Sequence, residues 1–253
     1  MTNIYLIRHG QAANNVGGDV VVGNGPLTDL GVCQAERLRD RLAATGEIAA
    51  DVLIASTMRR ARRTAEIIAP ALGLPVHLDE EVEEQRDGGA EGMTLEAIRL
   101  AWGPPTDWAT DPRAPGGIPG GECPAAMQDR VTRALTRITA AHAGKTAVVV
   151  CHGGVIAAAM LFFQGFDTVA SGINLVVPFP EHGGLVRRPW LPNYAPTTCS
   201  ITHWQFAAAD DAPGKVAWTL ECYNDALHLR DLDSDRRIDW AAFARPAVVP
   251  MGA

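Results

Sequence analysis

The amino-acid sequence predicts an α/β protein, a three-layer α/β/α sandwich around a mostly parallel central sheet. Two continuous apolar runs, residues 4–7 and 147–151, are typical of strands that are buried on both faces. Segments with helical periodicity alternate with runs of this kind, and the alternation indicates βαβ units. Hydrophobic residues make up 47% of the 253 residues, which is enough for a large core.

The individual elements follow from the same patterns in chain order. Five segments are predicted as strands: residues 4–7, 51–55, 147–151, 200–206 and 216–222. The last two alternate apolar and polar residues, and we expect them to be neighbours near one edge of the sheet. Four segments are predicted as helices: residues 30–44, 59–72, 123–141 and 155–163.

The whole chain, residues 1–253, is expected to form a single domain. Two irregular segments, residues 102–121 and 166–196, are rich in Pro and Gly, and segments of this length are often functional covers or disordered. The chain from about Ser234 is predicted to be a loosely held tail.

Composition argues against several classes of function. The formal net charge of -7 disfavours a nucleic-acid partner, although a small anionic substrate fits if positive charge is concentrated locally. No apolar stretch reaches the length of a signal peptide or a membrane span. The five cysteines are scattered without a C-x-x-C pair, which argues against a disulfide framework and a zinc site. We therefore expect a cytoplasmic protein without a metal or cofactor.

Histidines stand directly after two of the predicted buried strands. The first strand leads into Arg8-His9-Gly10, and the strand at 147–151 leads into His152-Gly153. At the carboxyl ends of such strands, side chains enter the crevice in which α/β proteins bind ligands. Each histidine taken alone is more often a hydrogen-bonded core residue than a catalytic one.

Two further segments contain groups that bind or protonate phosphate. An arginine-rich segment, residues 59–63, opens the helix after the second strand, and an acidic segment follows at 83–91. Most of these charges are expected to be solvated, but one arginine at the helix start can face the crevice. Two histidines, two arginines and a carboxylate are the parts that move a phosphoryl group without a metal: a nucleophile, an anion clamp and a proton donor.

Together these motifs resemble the histidine phosphatases, also called the phosphoglycerate-mutase-like superfamily, from residue 4 to about residue 229. The resemblance selects Arg60 as the second arginine and Glu84, rather than Glu83, as the carboxylate. The matching landmarks occur in the family's order: Arg8-His9-Gly10 with Gln11 and Asn15, Pro26 to Ala35, Ser56 to Ala65, Glu84 with Gly88, Glu91 and Gly92, Gly120 to Cys123, His152 to Gly154, and Asn224 to Leu229.

The resemblance implies a phosphohistidine intermediate on His9, with Glu84 as the proton donor. Because Glu84 must carry a proton to act, activity is expected to fall at alkaline pH. The arginines beside His9 are expected to keep its imidazole neutral. The residues expected to contact the phosphoryl group are Arg8, Gly10, Gln11, Asn15, Arg60, His152 and Gly153. A homodimer is common among such enzymes and is left open.

Phosphatase activity on a small phosphorylated metabolite is favoured over mutase activity. Mutases carry Glu-Arg-His-Tyr-Gly around the acid, whereas residues 84–88 read Glu-Gln-Arg-Asp-Gly. A non-catalytic module that binds phosphate or a phosphoprotein is the third alternative, but such relatives usually lose the nucleophile or an arginine.

Several positions depart from the family pattern or bear on specificity. Ala12 stands where the family usually has Ser or Thr, Asn24 where it often has Asp, and Cys123 where it has Ser. These departures leave the substrate open. We hypothesise that His182, Arg187 or Arg188 contacts the non-reacting part of an anionic substrate; the alternative is a solvated loop.

Overall fold

A six-stranded sheet forms the middle layer of the protein. The structure is a computed structural model that describes residues 1–16, 22–102, 118–165, 196–207 and 217–232. Its strands are β1 (Thr2–Arg8), β2 (Val52–Ser56), β3 (Val76–Asp79), β4 (Thr146–Cys151), β5 (Ile201–Ala207) and β6 (Ala217–Asp225). Its α-helices are α1 (Asp29–Thr45), α2 (Arg59–Leu72), α3 (Leu95–Trp102), α4 (Pro124–Ala141) and α5 (Gly153–Phe163).

The strand order is β3-β2-β4-β1-β5-β6. Strands β3, β2, β4 and β1 run parallel, while β5 and β6 are antiparallel additions at one edge. The predicted mostly parallel sheet and the predicted pairing of the last two strands are therefore confirmed. Because Arg8 of β1 lies opposite Cys151 of β4, the two strands end side by side. The histidine after each strand thus leaves the sheet at the same place.

Apolar residues pack on both faces of the sheet, as the three-layer prediction requires. On β4, Val149 belongs to the core beneath α4 and α5, whereas Val148 and Val150 belong to the core beneath α1 and α2. This alternation follows from the two-residue period of a strand. It also explains why the run at 147–151 is apolar throughout, since both of its faces are covered.

The sequence prediction lacks one strand and one α-helix, and its bounds for the other elements differ by up to three residues. Strand β3 was not predicted, because a four-residue edge strand with only two apolar side chains gives little signal. Helix α3 was not predicted either, and it occupies the chain up to Trp102, where the irregular segment was expected to begin. Strand β6 extends to Asp225, three residues beyond its predicted end.

Some predictions fall outside the described residues. These are most of the irregular segment at 102–121, nearly all of the segment at 166–196 with His182, Arg187 and Arg188, and the tail from Ser234. In the part of the chain that is described, no helix combines the length and the apolar character needed to cross a membrane.

Candidate active site

The hydrogen bonds of His9 define the role of each of its ring nitrogens. The residue is buried, and its Nδ1 lies 2.7 Å from the carbonyl oxygen of Gly10. Because a carbonyl only accepts hydrogen bonds, Nδ1 must carry the proton of the neutral ring. The lone pair is then on Nε2, to which the Nε–H of Arg60 donates at 3.1 Å. The fold therefore fixes the tautomer in which Nε2 can act as a nucleophile.

Ser56 favours the tautomer of His152 that, as in His9, carries the proton on Nδ1. The Ser56 hydroxyl accepts from the backbone N–H of Met58 at 3.2 Å, so its own proton can be donated to His152 Nε2 at 2.8 Å. The imidazole proton then lies on Nδ1, which is buried and has no hydrogen-bond partner among the described residues. The His152 ring centre is 5.1 Å from that of His9. His152 can therefore donate to a ligand oxygen bound beside His9.

Arg60 is the one member of the arginine-rich segment that the structure places against His9. It is buried on α2, and one terminal nitrogen donates to the carbonyl of Gly23 at 2.9 Å. Arg62 and Arg63 point outward, where each pairs with Glu66. The selection of Arg60 by its motif thus agrees with its position.

Arg8 brings the second guanidinium to the end of β1. One terminal nitrogen donates to the carbonyl of Pro196 at 2.5 Å. Gly153, the first residue of α5, lies next to the same guanidinium, since a Cβ at Gly153 would be 3.7 Å from Arg8 Nε. Arg8 and the first backbone N–H groups of α5 are therefore adjacent, a combination that favours an anion.

Burial and positive charge keep both imidazoles neutral. Burial lowers the pKa of His9 well below its ordinary range, and Arg60 and then Arg8 lower it further. Burial likewise lowers the pKa of His152, with Arg60, His9 and Arg8 adding to the effect. The expectation of a neutral His9 is confirmed in direction, although desolvation outweighs the arginines as its cause.

Glu84 places its carboxylate at the start of α5. One oxygen accepts from the backbone N–H of Gly154 at 3.0 Å, and the other accepts from the N–H of Gln85 at 3.0 Å. Glu83 points elsewhere, to the hydroxyl of Thr57 and the guanidinium of Arg86. Of the two neighbouring carboxylates, Glu84 is thus the one that hydrogen-bonds the turn carrying His152.

Comparison with known proteins identifies the family of the chain. Residues 4–171 match the family model of the histidine phosphatase superfamily, branch 1. The chain belongs to the histidine phosphatase superfamily. It is 30% identical over 234 residues to a glucosyl-3-phosphoglycerate phosphatase of Mycolicibacterium vanbaalenii, covering 87% of this chain and 93% of the relative.

Other relatives of this member of the superfamily have different names. A probable phosphoglycerate mutase of Erwinia tasmaniensis is 31% identical over 221 residues, covering 83% of this chain and 99% of the relative. The solved structure of Bacillus stearothermophilus YhfR superposes with a TM-score of 0.65 at 27% identity, covering 90% of this chain and all of that chain (100%). The relatives thus include one that is named a phosphatase and one that is named a probable mutase.

The remaining residues predicted to contact the phosphoryl group, Gly10, Gln11 and Asn15, make hydrogen bonds within the protein. The N–H of Gly10 donates to Thr64, and a Cβ at Gly10 would lie 2.4 Å from the Gly31 carbonyl, so glycine is required there for packing. The side-chain oxygen of Gln11 accepts from a threonine hydroxyl on the turn before α1. The side-chain oxygen of Asn15 accepts from a backbone N–H at 3.1 Å.

The three departures from the family pattern also have local explanations. Ala12 is fully buried, and its N–H is the donor to Asn15. Asn24 accepts from the N–H of Arg59 at 2.7 Å and so caps α2 from outside the helix. Cys123 is the N-cap of α4, and its sulfur accepts from a backbone N–H, which is the role that serine would take.

Sequence motifs alone did not assign the roles of Ser56 and Thr64. Both lie in the matched segment from 56 to 65, but only the structure shows that Ser56 orients His152 and that Thr64 joins Gly10 to the Arg60 carbonyl. Within the described ranges, no group of three or more His, Cys, Asp or Glu side chains could hold a metal ion.

Proposed function

We propose that the protein is a phosphomonoester hydrolase that acts through a phosphohistidine on His9. The observation that carries this proposal is that the two imidazoles offer different ring nitrogens, one an acceptor and the other a donor. His9 Nε2 holds a lone pair beside Arg60, and His152 Nδ1 holds a proton that no described residue accepts. One imidazole is thus prepared to attack phosphorus and the other to bind a phosphoryl oxygen.

In the first step, His9 Nε2 attacks the phosphorus of the ester in line with the leaving oxygen. A P–N bond forms, the P–O ester bond breaks, and Glu84 donates its proton to the departing oxygen. The guanidinium groups of Arg8 and Arg60 bind the other phosphoryl oxygens. Arg60 Nε, which donates to Nε2 in the free site, turns from the lone pair to the phosphoryl group.

In the second step, water replaces the alcohol in the same geometry. The Glu84 carboxylate removes a proton from the water, whose oxygen attacks phosphorus while the P–N bond breaks. The electron pair returns to His9 Nε2, and inorganic phosphate leaves. Glu84 is protonated again at the end of the cycle, so the site needs no external acid.

The loop after Glu84 favours hydrolysis over the phosphoryl transfer between two substrate positions that a mutase performs. A mutase must hold a second anionic group of its substrate. In the described part of that loop, the Gln85 amide donates to the carbonyl of Glu122, and Arg86 pairs with the carboxylate of Glu83. Neither side chain is directed at His9. The loop therefore offers no second anion site among its described contacts.

The substrate class is inferred from charge and from one relative. Two arginines at the site fit a dianionic phosphate, and the relative that acts on glucosyl-3-phosphoglycerate is similar over nearly its whole length. Phosphorylated sugar acids are therefore the first compounds to test. The mutase alternative is supported by the similarity to the probable phosphoglycerate mutase of Erwinia tasmaniensis, and it must be tested in parallel.

A phosphate-release screen over phosphorylated metabolites tests the proposal. Glucosyl-3-phosphoglycerate and 3-phosphoglycerate, the latter with its bisphosphorylated primer, are assayed with wild type, His9→Ala and the control His77→Ala, an exposed histidine on β3. We expect phosphate release by wild type and by His77→Ala, and background release by His9→Ala. Isomerisation of 3-phosphoglycerate that outpaces phosphate release would identify a mutase. Equal background rates in all three proteins would identify a binding module.

A further inference from the structure

Beneath the acid loop, defined here as residues 81–86, lies a buried ion pair between Arg130 of α4 and Glu122. Arg130 Nε donates to one oxygen of Glu122 at 2.8 Å, and a terminal nitrogen donates to the other oxygen at 2.6 Å. The side chains are 5% and 10% exposed, respectively. The pair is thus bidentate and nearly free of solvent, which is the strong form of this interaction.

The remaining N–H groups of Arg130 all bind the backbone of the acid loop. They donate to the carbonyls of Glu81 and Glu83 at 2.9 Å and to the carbonyl of Glu84 at 3.2 Å. With the two bonds to Glu122, all five donors of the guanidinium are used. A single side chain therefore fixes the path of the main chain up to the residue that bears the acid.

Glu122 fixes the acid loop from its other end. Its N–H donates to the carbonyl of Arg86 at 2.9 Å, and its side-chain oxygen accepts from the N–H of Arg86 at 3.2 Å. Its carbonyl accepts from the Gln85 side-chain amide at 2.6 Å. Glu84 is therefore held from both sides by the Arg130–Glu122 pair, while its own carboxylate reaches Gly154 on α5.

We infer that the Arg130–Glu122 pair positions Glu84 for proton donation to the leaving oxygen. A buried ion pair contributes little net stability compared with apolar residues of the same volume, so fixed geometry is what this arrangement supplies. Neither side chain contacts the phosphoryl group; both act through Glu84. The inference rests on the proposed function, in which Glu84 is the acid.

The leaving group distinguishes positioning from general structural support. A weakly acidic alcohol needs a proton as it leaves, whereas 4-nitrophenolate leaves readily without one. Phenyl phosphate and 4-nitrophenyl phosphate have nearly the same shape, but phenol is about as weak an acid as tyrosine, with a pKa of about 10. Misplacing Glu84 must therefore slow phenyl phosphate hydrolysis selectively.

The test compares the two esters in Arg130→Lys, Glu122→Gln and Glu84→Gln. Lysine keeps the charge of Arg130 but lacks the planar fork. The control is Arg37→Lys on α1, where Arg37 pairs with Asp231 at 3.0 Å and is 43% exposed. Thermal unfolding confirms that each variant is folded. Glu122→Gln keeps the shape of the side chain and serves if Arg130→Lys does not fold.

We expect Arg130→Lys and Glu122→Gln to lower kcat for phenyl phosphate about tenfold or more, with little change for 4-nitrophenyl phosphate or in KM. Arg37→Lys should match wild type. Adding Arg130→Lys to Glu84→Gln should cause no further selective loss. If Glu84→Gln is selective for phenyl phosphate but the pair variants are not, the positioning role is wrong. If Glu84→Gln itself shows no selectivity, the acid role in the proposed function is wrong, and the inference falls with it.

Discussion

We expect the substitution Ser56→Ala to weaken phosphate binding by His152, although Ser56 acts through His152 and not on the phosphate itself. Ser56 is fully buried at the end of β2, and its hydroxyl, which accepts from the N–H of Met58, can donate to His152 Nε2 at 2.8 Å. Without that hydroxyl, nothing described in the structure holds the imidazole proton on Nδ1. The ring then divides between two tautomers, of which only one can donate to a phosphoryl oxygen.

The size of the effect follows from the value of one buried hydrogen bond. Such a bond contributes about 0.5–1.5 kcal/mol net, so the ratio of the Nδ1–H tautomer to the other tautomer falls about twofold to tenfold. We expect kcat/KM to fall measurably, by no more than about tenfold. Complete removal of the donor in His152→Ala should cost more, about 10²–10³-fold, as for the loss of a donor to a developing oxyanion.

The assay is hydrolysis of 4-nitrophenyl phosphate by Ser56→Ala, His152→Ala and the control Ser200→Ala. Ser200 is equally buried, but its hydroxyl has no hydrogen-bond partner in the described part of the chain. Ser200→Ala should therefore retain wild-type kcat/KM. The reasoning is refuted if Ser56→Ala matches Ser200→Ala, or if it is as inactive as His152→Ala.

The remaining predictions concern stability. The pKa values of His9 and His152 are lowered in the folded protein, so the unfolded chain binds more protons than the folded one below the ordinary histidine pKa of about 6.5. The free energy of unfolding should therefore be highest above that pH and should fall below it. Denaturant unfolding should show a flatter pH dependence in the double variant His9→Gln/His152→Gln. Asn24→Ala should lower the free energy of unfolding by about 0.5–2 kcal/mol, since it uncaps α2, whereas Asn24→Asp should keep the cap; equal values for the two would contradict this. Cys123→Ser should raise the free energy of unfolding by about 0.5 kcal/mol relative to wild type, and Cys123→Ala should lower it, because serine is the better N-cap.

The sequence predicted the centre of the fold better than its margins. The run at 147–151 could be identified because a strand covered on both faces must be apolar at every position. Strand β3 has one covered side at most, and Leu78 within it is 47% exposed, so its pattern is weak. Pairing with the neighbouring strand, rather than the pattern of its own residues, determines that an edge strand of this kind forms.

The residues that meet at the site could be predicted from the sequence, but not the hydrogen bonds that orient them. His9, His152 and Arg60 stand in motifs whose spacing selects them. The bond between Ser56 and His152 joins residues 96 positions apart, and it exists because β2 pairs with β4 rather than with β1. No local pattern encodes that strand order. The sequence likewise does not distinguish Arg130 from the other arginines of α4. Only the structure shows that the acid loop lies over it.

Trapping the phosphoenzyme would decide whether His9 is the nucleophile. The protein is mixed rapidly with 4-nitrophenyl phosphate, quenched in alkali, in which a P–N bond survives, and digested for mass spectrometry. The proposed mechanism predicts a phosphoryl group on the His9 imidazole in wild type and none in His9→Ala. A phosphoryl group on any other residue, or phosphate turnover by His9→Ala at the wild-type rate, would contradict it.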